Sequence, residues 1–207
     1  MHNNKQPRSS SPADDLRSAI LEQDAALIGA VLSRDPAAFK SELAVDIDDD
    51  AGGDQHTLHP FHLAAWLGLT ESMAALAPFC DPEDWHESEL LGGATPLMAL
   101  ISTGSTESIE RLLPMLIPVS DCDKIDFEGC TALHLAVSTH QSMGAIALLA
   151  RATDLSIENY DGITAMEIAR ENFDEEVQAV LRAEDERRNI LSSCAQPSSD
   201  RARAPRL

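Results

Sequence analysis

Apolar, small and polar residues recur along this chain in a fixed order. The sequence reads HPFHLAA at 59–65, TPLMAL at 95–100, TALHLA at 131–136 and TAMEIA at 164–169. Aligned on Phe61, Leu97, Leu133 and Met166, the four phrases lie 36, 36 and 33 residues apart. A second apolar run follows each of the last three: ESIERLL, GAIALLA and EEVQAVL. The pattern predicts pairs of short helices, each pair repeating at a near-constant interval.

The copy at 126–158, DFEGCTALHLAVSTHQSMGAIALLARATDLSIE, shows the logic best. Asp126 and Gly129 frame a turn, and Gly129 can take positive φ at no steric cost. Thr131 is placed to N-cap a helix carrying Leu133, Leu135 and Ala136. Ala136 is small enough to let a neighbouring helix approach. A break near His140 separates this helix from a second one with Ile146, Leu148 and Leu149. By the same reading, helices should begin just after His59, Thr95, Thr131 and Thr164.

A period near 33 residues with a T-P-L-H-x-A phrase is the signature of ankyrin repeats, and this chain resembles that family. The resemblance implies an all-α solenoid of antiparallel helix pairs joined by short β-hairpin loops. In the family, the histidine of the phrase, here His62 and His134, ties hairpin to helix. Two copies depart from the pattern. In the first, His59 stands at the capping Thr and Thr57 at the turn Gly, which predicts an irregular hairpin. In the second, Pro114 and Pro118 are expected to end the second helix early. A weaker unit precedes them, placing Leu16, Ala19, Leu27, Val31 and Leu32 like a helix pair.

The expected organisation is a disordered leader at 1–12, a repeat domain at 13–190 and a disordered basic tail at 191–207. Units fall near 13–50, 54–89, 90–125, 126–158 and 159–190. The leader and the tail each carry a formal charge of +2, which leaves -24 on the body of a chain whose net charge is -20. Such a surface repels phosphate and anionic membranes, so nucleic acid and membrane are excluded as expected partners. A basic protein is electrostatically favoured. No apolar run reaches the roughly 20 residues that span a bilayer, and the N-terminus lacks the apolar core of a Sec signal peptide.

Candidate chemistry is sparse. His56, His59 and His62, with Cys80 and His86 nearby, have spacing that resembles a zinc site, but packing and surface roles are expected instead. The acidic run DIDDDAGGD at 46–54 fails as a calcium loop, because counting from Asp46 the Gly and Glu positions hold Ala51 and Thr57. Cys130 and His134 lack an orienting partner for nucleophilic catalysis. No Gly-rich phosphate loop, G-x-S-x-G or H-E-x-x-H occurs. No metal, cofactor or catalytic residue is expected.

The resemblance therefore implies a non-catalytic, monomeric module that binds a protein on its concave face. A catalytic effector or metal-dependent enzyme is the alternative. By register, the fingertips and exposed first-helix positions are Gln55, His56, Leu58, Trp66 and Leu67, then Leu91, Ala94, Ser102 and Thr103. The third copy adds Phe127, Glu128, Cys130, Ser138 and Thr139, and the fourth Tyr160, Asp161, Ile163, Glu171 and Asn172. Composition suggests a bacterial chain, either a cytoplasmic inhibitor or immunity protein, or an effector delivered to a host by a Sec-independent route.

Overall fold

The computed structural model describes residues 11–45, 56–80 and 92–195. The expected leader falls almost wholly outside these residues, as does the tail from 196 onward.

Ten α-helices form five antiparallel pairs among the described residues. They are α1 (Pro12–Leu21) with α2 (Ala25–Arg34), α3 (Pro60–Trp66) with α4 (Thr70–Leu76), and α5 (Pro96–Thr103) with α6 (Thr106–Leu116). Then come α7 (Ala132–Ser138) with α8 (Met143–Ala152), and α9 (Ala165–Glu171) with α10 (Glu175–Ala195). Each start except that of α4, which Leu69 leaves without a side-chain cap, is set by a side chain that satisfies orphan backbone N–H groups. Thr131 accepts from the His134 N–H and Thr164 from the Glu167 N–H. Ser11 and Asp14 cap each other reciprocally at α1. His59, lacking a hydroxyl, caps α3 with Nδ1, which accepts from the Phe61 N–H at 3.4 Å.

First helices pack on first helices, α1 on α3, α3 on α5, α5 on α7 and α7 on α9. Second helices pack likewise, from α2 and α4 through α6 and α8 to α10. One core results. Leu16, Ile20, Ile28 and Leu32 open it, Phe61, Leu97 and Leu133 continue it, and Ala169, Val177 and Leu181 close it. Each such Leu contributes about 1.5–3 kcal/mol by leaving water. No pair could bury its inner face alone.

Several expectations need correction. Leu27 is exposed, and Ile28 takes the inner place, because Ile28, Val31 and Leu32 share one face of α2. Pro114 does not end α6, which runs on to Leu116 before a 3-10 turn at Ile117–Val119. The hydrogen bond that Pro114 forfeits would have gone to the Glu110 carbonyl, on an exposed side of the helix where water can substitute. Residues 191–195 are helical, not tail, since α10 extends to Ala195. The first hairpin is a regular antiparallel pair of β1 (Leu43–Val45) and β2 (His56–Leu58), with Leu43 opposite Leu58. Both leucines are buried and fasten the pair to the core. No helix among the described residues is long and apolar enough to cross a membrane.

Candidate protein-binding surface

The connections between repeats form a row of turns, or fingers, built by one repeated device. Asp126 Oδ1 accepts from the N–H groups of Glu128 and Cys130 at 2.9 and 2.8 Å. One repeat later, Asn159 Oδ1 accepts from Asp161 and Ile163 at 3.1 and 3.0 Å. Gly129 and Gly162 take positive φ, at 79° and 74°, and reverse the chain.

Adjacent fingers are stitched together. The Phe127 N–H donates to the Gly92 carbonyl at 2.8 Å, and the Tyr160 N–H to the Glu128 carbonyl at 3.1 Å. Each ring also lies on a glycine of the preceding finger. A Cβ at Gly93 would overlap the Phe127 ring, and one at Gly129 would lie 2.8 Å from Tyr160 Cδ1. Each ring is thereby seated on one side. Phe127 still keeps 57% of its surface exposed and Tyr160 keeps 71%.

Histidines tie helices to fingers. His62 Nε2 donates to the Ala94 carbonyl at 2.9 Å. In His134, Nδ1 accepts from the Thr131 N–H at 3.1 Å, so Nε2 donates to the Ile163 carbonyl at 3.2 Å. Burial of this ring holds its pKa below the ordinary histidine value, against the smaller upward pull of its bond to Ile163. His134 is a neutral strut with both nitrogens engaged and is not poised as a base for Cys130. The thiols of Cys80, Cys122 and Cys130 are not poised as nucleophiles either. Burial pushes Cys80 up to about 12 and Cys122 up to about 11, and raises Cys130 as well. Among the described residues, no three His, Cys, Asp or Glu side chains are grouped to hold a metal.

The expected contact residues that the structure describes divide into three sets. Phe127, Glu128, Tyr160 and Asp161 are exposed on the fingers, and Leu67, Ser102, Thr103, Ser138, Thr139, Glu171 and Asn172 at first-helix ends. Thr103 is also bonded inward, to the Ala65 and Ala99 carbonyls. Leu58, Ala94 and Cys130 point inward at 1%, 7% and 8% exposure, so they offer a partner nothing. Trp66 is half-buried against the core, and Ile163 is half-buried. Gln55 and Leu91 lie outside the described residues, as does the side chain of His56. Sequence reasoning missed Phe173, which is 88% exposed beside Asn172 at φ 55°. It occupies the inter-helix turn position that Gln23, Gly68 and His140 fill elsewhere, all with positive φ. An aromatic at that recurring turn was the available signal.

Charge follows the same geography. The ion pairs found among the described residues are Arg34–Asp15, Arg111–Glu71, and Glu184 with Arg187 and Arg151, all away from the fingers. On Glu184 the Arg187 hydrogen bond comes first in holding the carboxyl below its usual range. The finger carboxylates Asp126, Glu128, Glu158 and Asp161 make no ion pair among the described residues.

No curated protein matches the chain significantly. A family description does: ankyrin repeats (3 copies), over residues 61–159. Stacked helix pairs, Thr-capped first helices, histidine struts and glycine-turned fingers occupy that stretch, and over it the chain matches the ankyrin repeat family.

Proposed function

We propose that the chain is a non-catalytic binding module that holds a basic protein along its finger row and the exposed ends of its first helices, the concave face of the array. Ankyrin repeats are generally protein–protein interaction modules, while a fold alone never names the partner. The observation that carries the reading is the finger row itself. Two solvent-facing rings sit among carboxylates that make no ion pair among the described residues. Exposed aromatics on a rigid frame are typical interface anchors, and the carboxylates favour a cationic counterpart. The net charge of -20 adds long-range attraction for such a partner.

Two settings suit this module. One is a resident inhibitor or immunity protein masking a basic toxin in the cytoplasm. The other is an effector delivered into a host cell. Affinity capture from source and host lysates, repeated at rising salt, tests the reading. The captured protein should be basic, and its retention should fall as salt screens the attraction. Retention insensitive to salt would overturn the electrostatic part of the proposal.

A further inference from the structure

We propose that the finger row is occupied in cis by the chain's own basic segment, residues 196–207, with Arg203 on the ring of Tyr160 and Arg206 on the ring of Phe127. The inference rests on reading the finger row as a binding surface, and it names a first occupant.

The rings define what fits. Each ring touches a glycine of the preceding finger and leaves more than half of its residue's surface open. An open aromatic face attracts cations, and a planar guanidinium stacks on it best. Asp126 and Glu128 flank Phe127, and Glu158 and Asp161 flank Tyr160, giving each guanidinium a carboxylate within the same finger. The segment after α10 supplies Arg201, Arg203 and Arg206 against a single acid, Asp200.

The spacing matches. Fingers ride on helices that pack about 8–10 Å apart, and three residues of extended chain span about 10 Å. Arg203 and Arg206 are three residues apart, with Pro205 between them. Docked in the polyproline II conformation that Pro205 favours for itself and for Ala204, the two side chains project from one side about 9 Å apart.

The segment starts in reach. Arg188 Nη2 donates to the Ala150 and Thr153 carbonyls at 2.6 and 2.5 Å, so α10 passes alongside the end of α8. Seven more helical residues carry it about 10 Å onward. Thr153 begins the connection to the finger that bears Tyr160, and turns held by Asp154 and Asn159 shorten that connection. Eight residues from Ala195 to Arg203 extend to about 26–29 Å, enough to fold back over it. A tethered ligand acts at about millimolar effective concentration, so even a weak contact is well populated. A basic partner then has to displace the segment.

The test uses a synthetic peptide of residues 196–207, titrated by NMR into two full-length chains, the wild type and the variant Arg203→Gln/Arg206→Gln. The variant should bind the peptide at least about tenfold more tightly than the wild type, because its own segment no longer competes. Shifts should centre on the finger amides near Phe127 and Tyr160. Adding Phe127→Ala and Tyr160→Ala to the variant, with circular dichroism confirming the fold, should abolish binding. Equal affinity for both chains, or no binding to either, would overturn the self-docking. Binding that survives loss of both rings would overturn it too. A chain that ignores the peptide yet still captures its basic protein would sink this inference and leave the proposed function standing.

Discussion

The finger at 126–130 and the strand pair at 43–58 do the same job by different means. In the first, a carboxylate, a glycine and a threonine cap compress the reversal into five residues and aim Phe127 outward. In the second, two three-residue strands pair across an insertion, and Leu43 and Leu58 turn inward. The helix pairs on either side are nonetheless packed alike, α1 on α3 as α5 on α7. The array is therefore held by its helix faces. The fingers are free to vary, and the compact ones leave rings available to a partner.

If packing is common to both regions, cutting the core should hurt both. Leu133→Ala and Leu16→Ala should each cost about 2–5 kcal/mol in denaturant unfolding, as buried cavity mutations do. A loss below about 0.5 kcal/mol for Leu16→Ala would break the equivalence and make the front unit a loose appendage.

Two glycines sharpen the contrast. Gly68 and Gly129 both have positive φ, at 66° and 79°, so alanine at either incurs a left-handed backbone cost of about 1–2 kcal/mol. Gly68 faces open space, whereas a Cβ at Gly129 would lie 2.7 Å from the Tyr160 backbone nitrogen. Gly129→Ala should therefore be the more damaging and should shift the Tyr160 amide resonance. Equal costs would mean that the fingers are not stitched as described.

A smaller effect separates the histidine-tied finger by pH. His134 titrates below its unfolded value of 6.5 because its ring is buried. The unfolded chain then takes up a proton that the folded chain refuses. Its contribution is complete above that value and is lost as pH falls from about 6.5 toward the folded pKa. Comparing stability at about pH 7.5 and 5.5, the wild type should lose more than His134→Gln. An identical drop in both would remove the strut from the account.

What the sequence disclosed follows from the same contrast. Thr95, Thr131 and Thr164 are caps by local chemistry, so the helix starts could be read directly. Seating of the individual side chains could not. Leu58 follows the exposed Thr57, and a single residue's step in an extended segment reverses the direction of a side chain, while Ala94 and Cys130 sit between buried neighbours at the base of their fingers. Pro114 misled because its cost depends on whether the Glu110 carbonyl faces water, which no local rule states. Phe173 escaped notice because bulky residues seldom take positive φ.

The binding role of the compact fingers can be tested directly with the partner recovered by affinity capture. Isothermal titration of that partner should be run against wild type and Phe127→Ala/Tyr160→Ala, with circular dichroism as the folding control. Trp66 is left intact because it is half-buried against the core. The double variant should stay folded and bind at least about 30-fold more weakly, the loss of about 2 kcal/mol expected of one hot-spot ring. A folded double variant with unchanged affinity would contradict the account and place the partner off the finger row.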